Sequence, residues 1–471
     1  MAAAPVWSVD PRTGKQREQV AVEATAQEVD TAVRAAHAAR GSLADRTVRA
    51  AFLRGAADQL EAAKNQLVEV ADAETALGPV RLNGELARTC YQLRAFADIV
   101  DEGAFLDVVI NHPDDTATPP IPDLRRYKVP LGVVAVYSAS NFPFAFSVPG
   151  GDTASALAAG CPVVVKAHPD HPGLSELVAS VLRRAAAEQG IPAGVLGLVH
   201  GFEAGVELVK HPLVSAAGFT GSVRGGRALF DAAAARPVPI PFHGELGSLN
   251  PVVITEAAAA ERAEAIGAGL AGSMTLGVGQ FCVKPGLVLV PSGSAGDGLV
   301  KSLTDAVSDT DSGVLLDHRM RDNFLAGVTE RAQLPDVDSP VTPGAGSEHT
   351  VSPGGAVEHG VAPFVQADQF GQQFGTESVS VAGGEIGGQY VGLGFGSGAG
   401  NRHSSSLGRQ SGRAASAQPS PAREGSSCVP PAVPHHLSCS PAWFLGLVAQ
   451  FPAERSVRPT TPESVLIVLI G

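Results

Sequence analysis

Four short apolar runs, each followed by a helical pattern, dominate the middle of the chain and limit the folds open to it. They occupy residues 133–137, 162–165, 195–199 and 215–219. Such alternation indicates right-handed βαβ units, in which neighbouring strands are parallel and helices cover both faces of the sheet. The sequence therefore predicts an α/β protein with a doubly wound parallel sheet. Gly and Pro at several strand ends within residues 160–222 predict ligand-binding loops there.

Length and charge exclude several kinds of protein. The chain has 471 residues, enough for two or three domains with their own cores. Its net charge of -13 has the wrong sign for a surface that neutralises the phosphates of a nucleic acid. No run of eighteen apolar residues occurs, so a membrane span is not expected either.

The cysteines and the N-terminus indicate a cytoplasmic protein. The five cysteines are odd in number and lack C-x-x-C spacing: Cys90, Cys161, Cys282, Cys428 and Cys439. This pattern predicts neither a disulfide framework nor a metal site. The N-terminus has no basic start and no apolar stretch, so the sequence predicts no export signal.

Two helices are predicted ahead of the first apolar run. Thr25-Ala-Gln-Glu28 is a capping-box pattern and marks the start of one helix. In the next helix Phe52, Ala56 and Leu60 recur at helical spacing, and the same pattern places Arg49 on the opposite, polar face. These helices are expected to pack, with no role in chemistry.

Four segments further along the chain contain residue types that serve catalysis or ligand binding. They are Ser138-Ala-Ser-Asn-Phe-Pro-Phe144, Val165-Lys-Ala-His-Pro169, Phe219-Thr-Gly-Ser-Val-Arg-Gly-Gly226 with His243-Gly-Glu-Leu-Gly247, and Gly279-Gln-Phe-Cys-Val-Lys-Pro285. Their order and spacing resemble the aldehyde dehydrogenase superfamily over roughly residues 5–354. Gly84-Glu-Leu-Ala-Arg-Thr89 with Gln92-Leu-Arg94 is similar to the branch that oxidises α-ketoglutarate semialdehyde and related fatty aldehydes, often with NADP.

The resemblance implies how the chain is divided. Residues 1–241 would hold the N-terminal helices and a Rossmann-like dinucleotide-binding domain. Residues 242–354 would form part of an α/β catalytic domain. Residues 355–471 would be a tail outside the family pattern.

Oxidation of an aldehyde to an acid needs a nucleophile, an oxyanion donor, a hydride acceptor and a base for water. Cys282 lies in a loop-like stretch beside Lys284, a setting that favours an exposed, reactive thiol. The resemblance makes Cys282 the nucleophile, Asn141 the donor to the oxyanion together with the Cys282 backbone N–H, and Glu245 the general base. Glu245 follows residues 238–242, which are predicted as a strand. Taken singly, such a cysteine is more often an inert buried residue and such a glutamate a turn residue. Cys161, which precedes a buried strand, is interpreted as structural.

Cofactor binding is predicted at two strand ends. Lys166 follows an apolar run, where its ammonium would reach an adenosine ribose or its 2′-phosphate. Many family members have a Glu three residues later, and Pro169 stands there instead, which favours NADP while leaving NAD open. The resemblance makes Gly221, Ser222 and Gly226 the loop that opens a helix towards the pyrophosphate. A solvated strand end and a Gly-rich turn are the plainer alternatives.

Two arginines on a predicted helix are candidates for the substrate. Arg88 and Arg94 are six residues apart and so do not share a helix face, which allows at most one of them to bind substrate directly. A guanidinium would hold the distal carboxylate of a dicarboxylic semialdehyde in a bidentate manner. A structural salt bridge is the alternative for either residue.

The composition changes after Gly354. Residues 355–471 carry only 6 basic and 7 acidic side chains, and about 37% of them are Gly, Ser or Pro. This composition predicts a disordered tail that forms no compact domain. The abrupt end of the resemblance at the same point indicates a changed reading frame, with a genuine replacement domain as the alternative. Residues 465–470 are apolar and are predicted as a short strand.

The family pattern is not recognisable in this tail. The resemblance calls for an E-x-F-G-P segment, whose Glu holds the nicotinamide ribose, and for a terminal strand that pairs subunits of a homo-oligomer. Neither is found after Gly354. Two hypotheses follow: an NADP-dependent enzyme that acts on a small aldehyde, or a truncated relative that binds the dinucleotide with little turnover.

Overall fold

A computed structural model describes residues 3–335, 337–342, 348–358 and 465–470 of the chain. The N-terminal elements are a ribbon, four helices and a second ribbon: β1 (Pro5–Asp10), β2 (Lys15–Val22), α1 (Ala26–Ala39), α2 (Arg46–Ala62), α3 (Lys64–Thr75), α4 (Pro79–Glu102), β3 (Val109–Asn111) and β4 (Leu124–Arg126). Both ribbons are antiparallel. Within the described ranges, every helix is too short or too polar to cross a bilayer.

The N-terminal helices confirm one expectation and correct another. The Thr25 side chain accepts from the backbone N–H of Glu28, whose carboxylate accepts from the Thr25 N–H, so the predicted capping box is present. Phe52 is buried as predicted. The outward position predicted for Arg49 is wrong: Arg49 is 4% exposed, because its guanidinium donates to the Leu43 carbonyl at 2.6 Å.

The middle of the chain forms a five-stranded sheet, here called the first sheet. Its elements are β5 (Val133–Tyr137), α5 (Gly151–Ala158), β6 (Val163–Lys166), α6 (Pro172–Glu188), β7 (Leu196–Val199), α7 (Phe202–Lys210), β8 (Val214–Gly221), α8 (Val223–Ala234) and β9 (Phe242–Leu246). All neighbours are parallel, in the order β7-β6-β5-β8-β9. The doubly wound sheet is therefore confirmed, and its strand order reverses between β5 and β8, where such sheets bind ligands.

The register of the first sheet brings the strand ends to one edge. Tyr137 pairs with both Lys166 and Phe219, and Phe219 pairs with Gly244. Lys166 and Glu245 therefore lie at the same carboxyl edge. A buried core that includes Val164 packs beneath them.

The last strand of the first sheet starts later than predicted. The strand-like stretch 238–242 is wrong as a strand, because Pro239 and Pro241 have no N–H to donate to a ladder. The strand begins at Phe242 and includes Glu245. The sheet therefore extends past residue 241, where the sequence placed a domain boundary.

The second sheet has five strands and mixed directions. The remaining elements are β10 (Pro251–Val253), α9 (Glu256–Thr275), β11 (Leu287–Pro291), α10 (Ser294–Ser308), β12 (Gly313–Val314), α11 (His318–Arg331), β13 (Val337–Val341), β14 (Thr350–Val351), β15 (Gly355–Glu358) and β16 (Val465–Ile470). The strand order is β10-β11-β16-β15-β13, and β12 pairs with β14 in a separate ribbon. Only β10 and β11 pair in parallel within the described part of this sheet.

Two strands of the second sheet come from the Gly-, Ser- and Pro-rich tail. β15 and β16 pair with each other, and β16 also pairs with β11. The predicted strand at residues 465–470 is confirmed. The predictions of disorder or a changed frame over the rest of the tail fall on residues 359–464 and 471, which lie outside the described residues. The domain boundaries at 241 and 354 stay predictions.

Candidate active site

Two loops from different parts of the fold meet at the candidate site. The Asn141 loop (residues 138–146) follows β5, and the Cys282 loop (residues 277–285) lies between α9 and β11. Asn141 Nδ2 donates to the Gln280 carbonyl at 2.8 Å. The Phe142 and Phe281 rings pack edge to face, with centroids 5.2 Å apart. The structure therefore brings the predicted oxyanion donor to the loop that bears the predicted nucleophile.

The backbone of the Cys282 loop is tightly shaped. Cys282 is half-buried, belongs to no disulfide and lies in a turn, as the loop-like stretch predicted. Gly277 and the β-branched Val278 both have φ of 60°, a conformation that costs free energy for valine. Asn250 Nδ2 donates to the carbonyls of Cys282 at 2.7 Å and Lys284 at 2.8 Å. The loop conformation is thus fixed immediately before and after the thiol.

The Asn141 loop is held from the side of α4. The buried Glu85 carboxylate accepts from the backbone N–H of Phe144 at 2.8 Å and of Ala145 at 2.9 Å. Burial raises the pKa of Glu85, although the two amide donors act in the opposite direction. Glu85 therefore positions the segment that follows Asn141.

Arg81 joins the two loops. Its guanidinium donates to the Asn141 carbonyl and lies over the rings of Phe142, at 5.1 Å, and Phe281, at 4.4 Å. Sequence reasoning missed both Arg81 and Glu85. The signal was their spacing: Arg81, Glu85 and Arg88 follow at i, i+4 and i+7 and share one helix face.

The two candidate substrate arginines point to different surroundings. The guanidinium of Arg88 lies 5.6 Å from the centroid of Phe146, in the Asn141 loop. Arg94 forms ion pairs with Asp58 at 2.6 Å and Glu61 at 2.7 Å, and hydrogen bonds to these carboxylates raise the pKa of Arg94. Arg94 thus makes the structural salt bridge that was the alternative, and only Arg88 of the pair contacts the site.

Glu245 lies exposed on β9 and pairs in register with Thr220 of β8. A second carboxyl group is near it. Burial, followed by the charge of Glu245, raises the pKa of Asp152 to about 6. A Cβ on Gly218 would lie 2.9 Å from Asp152 Oδ2, so β8 leaves room for this carboxyl. Asp152 was not singled out from the sequence.

Lys166 ends β6, as predicted, and is only 8% exposed. Its Nζ lies 4.7 Å from the centroid of the Phe202 ring. Burial lowers the pKa of Lys166 to about 8. Among the described residues, no carboxylate comes within 4.0 Å of Nζ. The ammonium is therefore available to acceptor oxygens of a ligand, such as those of a dinucleotide.

The turn from β8 into α8 also fits a dinucleotide. Ser222 is the N-cap of α8, and its Oγ accepts from the Gly225 N–H at 3.2 Å. A Cβ on Gly226 would lie 1.9 Å from Leu246 Cδ2, so a glycine is needed for α8 to approach β9. This N-terminus opens at the carboxyl edge of the sheet, a position suited to a pyrophosphate.

Two further observations concern Arg227 and metal binding. Arg227, next to this turn, pairs with Asp231 at 3.0 Å and stacks on Phe230. In the part of the chain that the structure describes, no three His, Cys, Asp or Glu side chains are grouped to hold a metal ion.

Comparison with known proteins shows the family. The sequence profile of the aldehyde dehydrogenase family matches residues 2–368. The chain is 51% identical over 292 residues to α-ketoglutaric semialdehyde dehydrogenase 2 of Azospirillum brasilense, covering 61% of this chain and 56% of that protein. It is 44% identical over 313 residues to α-ketoglutaric semialdehyde dehydrogenase of Acinetobacter baylyi, covering 65% and 59%. The chain thus spans under two thirds of the length of these relatives.

Solved structures share the fold. The NADP-dependent glyceraldehyde-3-phosphate dehydrogenase of Bacillus halodurans, complexed with NADP, superposes with a TM-score of 0.64 at 22% identity, over 74% of this chain and 72% of that one. The NAD-dependent benzaldehyde dehydrogenase of Corynebacterium glutamicum gives 0.61 at 24% identity, over 74% of each chain. The predicted α/β architecture is confirmed. The four motifs, the meeting of their loops and the profile match together show that this chain belongs to the aldehyde dehydrogenase family.

Proposed function

We propose that this chain oxidises an aldehyde to a carboxylic acid with NADP, through a thiohemiacetal and then a thioester on Cys282. The observation that carries the proposal is the hydrogen bond from Asn141 to Gln280, because it joins the donor loop to the nucleophile loop. The substrate class is a dicarboxylic semialdehyde of the α-ketoglutarate type. The names of the two curated relatives support this class, as does Arg88 beside the Asn141 loop.

In the first step the Cys282 thiolate attacks the aldehyde carbon, the carbon–oxygen π bond breaks and the carbonyl oxygen becomes an oxyanion. An asparagine amide has two N–H groups, and one of those of Asn141 donates to Gln280. Within the described residues the other makes no hydrogen bond, and we assign it to the oxyanion; the family resemblance gives the Cys282 backbone N–H as the second donor. Such a donor lowers the barrier by about 3 kcal/mol.

NADP, when bound, accepts the hydride that leaves the thiohemiacetal carbon. Cys282 then carries a thioester. Glu245 removes a proton from a water molecule, whose oxygen attacks the acyl carbon. The carbon–sulfur bond breaks, the thiolate of Cys282 leaves and the carboxylic acid is released.

The cofactor would be held by Lys166 and by the turn that contains Ser222 and Gly226. NADP is favoured over NAD because Pro169 replaces the carboxylate that would repel a 2′-phosphate, and NAD stays the alternative. A cytoplasmic location, which the cysteines and the N-terminus indicate, and assembly as a homo-oligomer, which the family resemblance implies, stay predictions.

A second candidate function is dinucleotide binding with little turnover. Two observations favour it: the chain spans 56% and 59% of the lengths of its curated relatives, and its composition changes after Gly354 without an E-x-F-G-P segment. The first sheet, which carries Lys166 and Ser222, precedes this change. Binding without oxidation is therefore the specific signature of this candidate.

The test uses the purified full chain with NADP and α-ketoglutarate semialdehyde. Reduced NADP is followed in the parent, in Cys282→Ala and in the control Cys161→Ala, whose thiol is 3% exposed and structural. We expect turnover in the parent and the control and none in Cys282→Ala. Turnover by Cys282→Ala would refute the proposed nucleophile. NADP binding by a parent that makes no reduced NADP would establish the second candidate.

A further inference from the structure

A second cation lies next to Lys166 at the carboxyl edge of the first sheet. Arg319, near the start of α11, has its guanidinium carbon 5.9 Å from the centroid of the Phe202 ring. Lys166 Nζ lies 4.7 Å from the same centroid. Phe202 itself is 58% exposed. Two cations from distant parts of the sequence therefore converge on one exposed ring.

The acidic groups around this pair lie mainly on the side of Arg319. Arg319 pairs with Asp317 through Nε and Nη2, and Nη2 lies 3.5 Å from Asp170 Oδ1. Burial, and then the charge of Asp317, raise the pKa of Asp170 to about 8, so this carboxyl is mostly protonated at neutral pH. Glu23 is the other acidic group that acts on Lys166. Nη1 of Arg319 makes no hydrogen bond within the described part of the chain.

We propose that Arg319 and Lys166 together bind the 2′-phosphate of NADP, and that Arg319 makes the chain prefer NADP to NAD. The inference rests on the proposed function, since it deepens the cofactor site. A phosphomonoester carries about two negative charges and three acceptor oxygens, which one ammonium cannot satisfy alone. The planar guanidinium adds donors in a fixed geometry that suits phosphate.

The segment that carries Arg319 also contacts the Cys282 loop. The backbone N–H of Leu316 donates to Gln280 Oε1 at 2.9 Å, and Gln280 in turn accepts from Asn141. Asp317 is the N-cap of α11 and accepts from the Met320 N–H at 2.6 Å. Residues 316–320 thus connect the phosphate site at one end to the catalytic loops at the other.

The experiment measures dissociation constants of NADP, NAD, 2′,5′-ADP and 5′-AMP for the full chain by calorimetry. Arg319→Gln is expected to raise the dissociation constants of NADP and 2′,5′-ADP by roughly ten- to hundredfold, which corresponds to the loss of one charge-assisted hydrogen bond. The dissociation constants of NAD and 5′-AMP should stay nearly unchanged. Arg319→Lys should recover part of the loss. Arg54→Gln is the matched control, because Arg54 pairs with Asp98 and Asp101 as Arg319 pairs with two aspartates.

Each other result has one meaning. Equal weakening of NADP and NAD by Arg319→Gln would overturn the inference, because Arg319 would then only support the fold. Equal binding of 2′,5′-ADP and 5′-AMP to the parent would also overturn it. A parent that oxidises aldehyde with NADP while Arg319→Gln binds NADP normally would leave the proposed function standing and remove this inference alone. A parent that binds neither dinucleotide would remove both.

Discussion

The two sheets differ in how far apart their strands lie in the sequence. The first sheet uses one continuous stretch, residues 133–246, and every strand is parallel to its neighbours. The second sheet draws on residues 251–470, and its pairing of Leu287 with Leu469 closes a very long loop. Closing a long loop costs conformational entropy, and only tertiary contacts between the joined segments offset this cost. Local patterns therefore specify the first sheet, whereas the second depends on contacts that no local pattern shows.

The two sheets contribute different parts of the proposed activity. Lys166 and Ser222, which bind the cofactor in our account, belong to the first sheet and its helices. Cys282 lies in the loop before β11 of the second sheet. Binding of NAD should therefore tolerate damage to the second sheet, whereas the added affinity for NADP, which depends on Arg319 of α11, and aldehyde oxidation should need both regions.

The largest effects are expected from a matched pair of leucines in the two cores. Leu208 on α7 and Leu299 on α10 are both 0% exposed, in the cores of the first and second sheets. Each change to alanine should lower the free energy of unfolding by about 2–5 kcal/mol, measured in urea. Leu208→Ala should also lose NAD affinity, and Leu299→Ala should keep it while losing turnover. Equal loss of NAD affinity in both variants would mean that the two regions unfold as one unit.

Changes at Glu85 test the contact between the Asn141 loop and the Cys282 loop, because Glu85 holds the Asn141 loop in place. Glu85→Ala leaves two buried backbone N–H groups without their acceptor and should cost about 1–3 kcal/mol of stability. Because the Asn141 loop loses its support, kcat should fall while the dissociation constant of NADP stays the same. Glu85→Gln keeps one acceptor oxygen and should behave closer to the parent. Equal losses of turnover in the two variants would show that Glu85 does more than accept these bonds.

The smallest effect concerns pH and belongs to the proposed 2′-phosphate site. Lys166, with a pKa of about 8, is charged below pH 8 and neutral above it. Asp170, also with a pKa of about 8, gains negative charge over the same range. Both changes disfavour a 2′-phosphate, which stays fully ionised, so NADP should bind severalfold more weakly at pH 9 than at pH 7.

The controls for this pH effect are NAD and a lysine variant. Affinity for NAD, which has no 2′-phosphate, should change much less across the same range. Lys166→Met should reduce the pH dependence of NADP binding. NADP affinity that is constant or rises towards pH 9 would contradict the phosphate site.

The parts that the sequence predicted are those with a local cause. β5 occupies the predicted residues 133–137, because a buried parallel strand is a continuous apolar run. Cys282, Asn141, Lys166 and Glu245 were proposed as site residues because four motifs in order resemble one family, and their roles stay predictions. Cys282 and Asn141 lie in loops and Lys166 at a strand end, as expected, whereas the strand near Glu245 was placed too early.

The parts that the sequence did not predict depend on contacts between distant segments. Arg49 lies inward because its guanidinium donates a hydrogen bond to the carbonyl of Leu43, which precedes the helix. The periodicity of the helix does not show this contact. Arg81, Glu85 and Asp152 each act on a group far along the chain. Charged residues on helices are usually solvated, so their inward positions become visible only once the loops they contact are in place.

The most direct test of the central claim is the site of the covalent intermediate. Glu245→Gln should still form the thioester but hydrolyse it slowly, so an acyl group should accumulate when NADP and α-ketoglutarate semialdehyde are supplied. Intact-mass measurement followed by peptide mapping would locate it. Our account predicts one acyl group, on Cys282, that depends on both NADP and aldehyde. An acyl group on Cys161 instead, or none on a chain that still consumes aldehyde, would contradict it.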